Sequence, residues 1–200
     1  GQAFVPTGGT LDQIAHIDVS GARQLLQTVK LTAMCDIDNP MHGPTGASYI
    51  FGPQKGADPA MVEFLDGQLK ALDAVIQREL HRAVADVPGA GAAGAFGAGI
   101  LAFLDGTLCP GIEAVLDLVD FDGKLKDCDL VITGEGRFDS QSIRGKVVSG
   151  VSRRAKRQGV PVAVIAGSVA EDVESVSAHP DSGVTAAFSI NRQAMDYSES

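Results

Sequence analysis

CDLVITGEGRFDSQSIRGKVVSGVSRRAKRQGVPVAVIAGSV, residues 128–169, decides the fold class. Asp129–Thr133 is a short apolar strand, Lys146–Gln158 has helical character and stops at Gly159, and Val160–Ala166 is a continuous apolar strand. Glu171–Ala178 then reads as a short helix and Val184–Ser189 as another strand. Strand, helix, strand, helix, strand implies parallel pairing with right-handed crossovers. The fold class expected is α/β. Working outward toward the N-terminus, Asp58 is a good N-cap with Pro59 at the first helical position. Met61, Val62, Leu65, Leu69, Leu72, Val75, Ile76 and Leu80 then recur at three- and four-residue steps, which predicts a long amphipathic helix. Val29–Cys35 reads as a strand feeding a long loop, Asp36–Gly56, that holds one helical turn at Ala47–Phe51. Loops of that length inside a compact unit tend to be functional. Gly94–Leu104 and Pro110–Val119 read as further helices, and Thr10 as the cap of a short one over Leu11–His16. The change of pattern places a boundary between two α/β units, 1–125 and 126–200.

The chain has 200 residues, 44% hydrophobic and 20% charged, a globular composition. Its 25 acids against 16 bases give a formal net charge of −9. That balance speaks against nucleic acid or an anionic membrane as partner, since both need clustered Lys and Arg. Cys35, Cys109 and Cys128 are odd in number and form no CxxC, which argues against a disulfide framework and fits a reducing cytoplasm. The uncharged run Val87–Leu104 touches the lower length limit for a spanning helix, but its Gly and Ala content points to a buried helix behind a glycine-rich loop. No signal peptide is visible, and a start at Gly-Gln rather than Met implies processing or a fragment.

Several segments carry candidate chemistry. Gly89-Ala-Gly91-Ala-Ala-Gly94 has the letters of the dinucleotide fingerprint, yet no convincing strand precedes it and helices follow, so that reading fails. Its glycines serve either close helix packing or an anion at a helix N-terminus. Gly145-Lys146 resembles the end of a P-loop, but Ser140 and Val147 stand where Gly and Ser or Thr are needed. Thr133-Gly-Glu-Gly-Arg-Phe-Asp139 falls just past the predicted strand end, where open parallel sheets bind ligands. Glu135 and Asp139 are candidate Mg²⁺ ligands, and Arg137 is a candidate partner for a carboxylate or phosphate. The alternative is a tight turn with solvated charges. Cys35-Asp-Ile-Asp-Asn-Pro-Met-His-Gly-Pro44 also follows a strand and sets two acids and an Asn in one turn, either as base and metal ligands or as a network of Asx turns. Lys55, framed by Gly and Pro, is weak in isolation.

Together, the runs CDIDNPMHGPTGASYIFGPQKGADP, VPGAGAAGAFGAGILAFL, CDLVITGEGRFDSQSIRGK and VPVAVIAGSV resemble the bacterial glycerate kinase family, in order and spacing across most of Leu31–Ile190. The resemblance implies ATP-dependent phosphorylation of D-glycerate with Mg²⁺, at the 2-hydroxyl in this branch, in a cytoplasmic enzyme. It also implies two α/β domains. One is flavodoxin/Rossmann-like, parallel and discontinuous; the other is inserted and resembles a restriction-endonuclease core. Family members are roughly twice as long, so the chain is expected to be the inserted domain, 1–125, plus part of the flavodoxin-like one, 126–200. Met41-His42 and Ala95-Phe96 depart from the family's usual small or apolar residues.

In that frame Asp36 is the expected base, with Asp38 and Asn39 shaping the turn and Arg137 holding the substrate carboxylate. Lys55, Gly89, Gly91, Gly134, Gly136 and Lys146 are the expected nucleotide contacts, and Glu135 and Asp139 the metal ligands. The loops Asp36–Lys55 and Gly134–Lys146 are expected to face one cleft. A homo-oligomer remains open, as do a kinase for another small hydroxy acid and a non-catalytic binding or dimerisation module. The 200-residue chain by itself is expected to be inactive.

Overall fold

In a computed structural model, which describes residues 4–139, 142, 147–170 and 182–191, the polar opening of the chain forms a 3-10 turn at Leu11–Gln13 and helix α1 (Ser20–Leu26). The helix expected over Leu11–His16 shrinks to that turn. The Thr10 hydroxyl is spent backward, accepting from the Thr7 N–H at 2.8 Å, and caps nothing. Strand β1 (Thr32–Met34) is shorter than Val29–Cys35 and is followed by α2 (Ala47–Phe51), which falls where the sequence puts it. Helix α3 (Pro59–Leu80) begins as read, with the Asp58 carboxylate accepting from the Met61 N–H at 2.8 Å. It buries Val62, Leu69, Val75 and Ile76, whereas Met61 is exposed.

Helix α4 (Ala92–Phe103) has three left-handed residues, Ala93, Gly94 and Ala95, in its first turn. Its small side chains Ala95, Ala98 and Ala102 pack into a core with Met41, Leu69, Ile76 and Val84. No described helix is long and apolar enough to cross a membrane. Strand β2 (Thr107–Cys109), unforeseen in the sequence, pairs parallel with β1, Thr32 opposite Thr107 and Met34 opposite Cys109. These elements form one compact unit, Gly1–Cys109, and the rest of the chain forms a second, Pro110–Ser200.

The second unit contains α5 (Gly111–Leu118), α6 (Phe121–Leu125), β3 (Val131–Phe138), α7 (Val147–Arg157), β4 (Val162–Val169) and β5 (Ala186–Ser189). The compact units divide at Cys109/Pro110, and one side chain shows what holds residues 111–125 to the elements that follow. Arg154 on α7, only 7% exposed, reaches Glu113 and Asp117 on α5 at 2.6 Å each and Asp122 on α6 at 2.9 Å. Residues 111–125 are thereby tied to α7.

All pairs in the sheet β3-β4-β5 are parallel, as the alternation of elements requires. Strand β3 runs five residues beyond the expected end at Thr133, because β4 is long enough to pair with it as far as Phe138 opposite Val169. The expected helix Glu171–Ala178 lies outside the described residues. One face of the sheet packs on α7, with Val148, Phe138, Val164, Ala166 and Val184 in a cluster. The other carries Ile132, Ile165 and Phe188, which are 64%, 45% and 58% exposed.

Candidate functional site

The acid loop leaves the carboxyl end of β1. Its first N–H, that of Cys35, still donates to the Cys109 carbonyl at 2.8 Å, so Asp36 stands at the point where sheet pairing ends. Asp36 and Asp38 are exposed, and Asn39 is half-buried. The Asn39 amide Nδ2 donates to the Thr45 carbonyl at 2.9 Å, which folds the loop back on itself. Both acids stay at the surface of this folded-back loop.

The glycine-rich segment sits against this loop. The Gly91 N–H donates to the Asn39 carbonyl at 3.0 Å, and a Cβ on Gly91 would stand 2.2 Å from the Pro40 carbonyl oxygen. Gly89, at φ +89°, leaves room for the Cys35 sulfur, which would lie 2.8 Å from a Cβ there. The N–H groups of Ala90, Gly91 and Ala92 donate to the carbonyls of Val87, Asn39 and Gly89. Those three donors point at protein carbonyls. The geometry of Gly89 and Gly91 therefore fits seating of the acid loop better than an anion cradle.

Beyond Asn39 the loop rests on α3. The Asp66 carboxylate, in a residue 1% exposed, accepts from the Gly43 N–H at 2.7 Å and pairs with Lys70 at 2.8 Å. The hydrogen bond to Asp66 holds the Lys70 ammonium above the ordinary lysine range. One pair further along, Asp73 Oδ2 accepts from Gln77 Nε2 at 2.8 Å and lies 3.3 Å from His42 Nε2. Sequence reasoning passed over both aspartates. The signal was present: Val62, Asp66, Leu69, Asp73 and Ile76 form one four-three-four-three row, so two acids occupy positions of the buried stripe.

Lys55 ends the 3-10 turn Pro53–Lys55 and is exposed. It lines a pocket of about 210 Å³ whose walls include Phe51, Leu65 and Leu69, with Ser48 as its hydroxyl. The walls are too apolar for a small polyhydroxylated acid, so the pocket is not assigned to the acceptor.

In the second unit, Glu135 and Arg137 are on β3 itself and Asp139 directly follows it, a correction of their placement beyond the strand. Gly134 and Gly136 belong to the open face with Ile132. Glu135 aligns with Ala166 toward the α7 face. Its Oε1 is buried and has no hydrogen-bond partner among the described residues. Arg137, its side chain 70% exposed, pairs with Asp139 through Nε at 3.4 Å. The wholly buried Ser142, also missed, closes this turn: its Oγ accepts from the Asp139 N–H at 3.2 Å and donates to the Arg137 carbonyl at 3.3 Å. Lys146 lies outside the described residues. Among the described residues no three His, Cys, Asp or Glu are grouped to hold a metal by themselves.

The sequence model of the glycerate kinase family matches residues 1–200 in full. The chain belongs to the glycerate kinase family. It is 47% identical over 199 residues to a glycerate kinase of Halalkalibacterium halodurans, covering 100% of this chain and 52% of that protein. It is 49% identical over 183 residues to the glycerate 2-kinase of Escherichia coli K12, covering 92% and 47%. A crystal structure assigned as glycerate kinase 2 from Salmonella typhimurium LT2 superposes with a TM-score of 0.75 at 47% identity, covering 91% of this chain and 46% of that one. The chain thus spans about half the length of the relatives it matches.

Proposed function

We propose that a polypeptide carrying this chain at the full length of its relatives phosphorylates D-glycerate with ATP at the 2-hydroxyl, giving 2-phosphoglycerate and ADP. Family membership over the whole chain supports the reaction class, and the E. coli relative's name supports the position. The observation that carries the mechanism is an exposed carboxylate, Asp36, at the carboxyl end of a parallel strand, on a loop pinned by Asn39 and Gly91. Phosphoryl transfer asks a protein mainly for positioning and charge neutralisation. Asp36 takes the proton of the 2-hydroxyl as its oxygen bonds to the γ-phosphorus, and the β–γ bridging oxygen leaves with ADP. Asp38 and Asn39 shape the turn that presents Asp36. In the second unit, Arg137 offers an exposed guanidinium suited to an anionic group of a substrate, and its 3.4 Å pairing with Asp139 is a weak competitor. Lys55 in the first unit and Lys146 in the second are cations suited to offsetting phosphate charge, and Gly136 leaves open space beside β3, whereas a Cβ on Gly134 would stand 2.5 Å from the Ile165 carbonyl oxygen.

Mg²⁺ is usually held by one or two carboxylates together with substrate phosphates and water. The residues fit that pattern. Glu135 has a buried oxygen with no protein donor among the described residues, and Asp139 stands at the end of the same strand. The ion would neutralise charge on the phosphate oxygens. The reading is tested by coupling to enolase, which consumes 2-phosphoglycerate directly. The full-length polypeptide with D-glycerate and Mg-ATP is expected to give signal without added phosphoglycerate mutase. A requirement for the mutase would move the acceptor to the 3-hydroxyl, and absence of product with or without it would reject the reaction.

A further inference from the structure

The stripe that α3 buries would be closed most cheaply by apolar side chains, yet it carries Asp66 at 1% exposure. A buried carboxylate is costly unless hydrogen bonds compensate it. What a leucine at 66 could not do is accept the Gly43 N–H. Gly43 has φ +92°, so the chain turns sharply there with its N–H aimed at α3. From that contact a continuous set of hydrogen bonds leads back to Asn39, the residue that follows Asp38. The Gly43 carbonyl accepts from the Gly46 N–H at 2.8 Å and the Met41 carbonyl from the Ala47 N–H at 3.3 Å, closing the 41–47 turn. Inside that turn the Thr45 carbonyl accepts from Asn39 Nδ2 at 2.9 Å, and the Asn39 carbonyl accepts from Gly91 at 3.0 Å. His42 on Asp73 is a second tether to the same helix face.

We propose that Asp66 is a positioning residue for catalysis: through the Gly43 N–H it fixes the 41–47 turn, and through Asn39 it fixes the Asp36–Asn39 acid loop. The proposal rests on the kinase reading with Asp36 as base. Asp66 touches no substrate, and it acts by keeping the exposed carboxylates in one geometry, for which a displacement of about 1 Å can cost about 10²-fold in rate.

The test compares Asp66→Leu, Asp66→Asn and Lys70→Met in the full-length polypeptide, with kcat and KM measured separately and hydrogen exchange followed by mass spectrometry on peptides spanning 40–47. Asp66→Leu is expected to lower kcat by about 10–10²-fold with KM little changed, and to lose protection at the 41–47 turn. Asp66→Asn, whose amide oxygen still accepts from Gly43, is expected to recover most of both. Lys70→Met, which removes only the exposed partner, is expected to leave kcat unchanged. Asp66→Ala replaces the leucine variant should that one not fold. Unchanged exchange at 41–47 in Asp66→Leu overturns the anchor, and lost protection with unchanged kcat overturns its catalytic relevance. Equal losses in the leucine and asparagine variants reduce Asp66 to a merely structural acid. A wild type without turnover defeats the kinase reading, and the exchange result distinguishes that failure from failure of the anchor.

Discussion

Gly91 shows what a single missing carbon does. Alanine there would put its methyl 2.2 Å from the Pro40 carbonyl oxygen and 3.1 Å from that of Asn39, backbone atoms that cannot rotate away. Gly91→Ala is expected to destabilise the first unit by about 1–3 kcal/mol, read as a lower urea midpoint for the chain. An unchanged midpoint would mean that the two loops are not in contact. Lys70 gives a pH signature with a definite sign. Its folded-state value is raised by Asp66, so its stabilisation is complete below the ordinary lysine value of about 10.4 and is lost as pH rises through the raised one. The Tm difference between wild type and Lys70→Met is expected to be constant near neutrality and to vanish in strong alkali; a difference that grows with pH would contradict the pairing. The letters of GxGxxG were plain in the sequence, but not what they approach. Which backbone comes within van der Waals range of a glycine is a tertiary fact. The same holds for Asp66, whose place in the apolar row was visible while its partner, an N–H 23 residues away, was not.

Among elements, those with two independent local signals were legible. Helix α3 has a cap, a proline and an unbroken periodicity, and it begins and ends where these put it. Strand β2 and helix α6 are three and five residues long, too short for any period to show. Strand β3 was read short because Gly134 and Gly136 look like a turn, although both lie inside the strand and Gly134 pairs with Ile165 of β4. The attachment of α5 and α6 to α7 was hidden for another reason. The sequence shows the acids at 113, 117 and 122 but not the arginine at 154 that gathers them. Arg154→Met would leave three carboxylates around an apolar stem. Breaking a buried pair costs about 3–5 kcal/mol. The low end is expected here, because the Asp117 and Asp122 side chains are 72% and 52% exposed. Urea unfolding combined with hydrogen exchange checks this: protection should fall across α5 and α6 and stay unchanged across α3. Equal loss in α3 would contradict the assignment of residues 111–125 to the second unit.

Among the described residues, the sheet of the second unit is covered on one face and leaves Ile132, Ile165 and Phe188 exposed on the other. Parallel sheets are ordinarily covered on both faces. The chain spans about half the length of its relatives, and we propose that the open face is where the remaining half of such a protein packs. The 200-residue chain alone is accordingly expected to bind an apolar dye and to show no glycerate kinase turnover. Turnover of about 1–100 s⁻¹, ordinary for kinases, would show that it holds a complete site. The central claim is that Asp36 takes the proton in phosphoryl transfer to glycerate, and one comparison meets it directly. Steady-state kinetics of the full-length polypeptide, wild type against Asp36→Asn, with D-glycerate and Mg-ATP, should show kcat falling by about 10²–10⁴-fold with KM little changed. An asparagine variant that keeps its kcat would contradict the account and move the base to another carboxylate, with Asp38 and Asp139 the next to be tested.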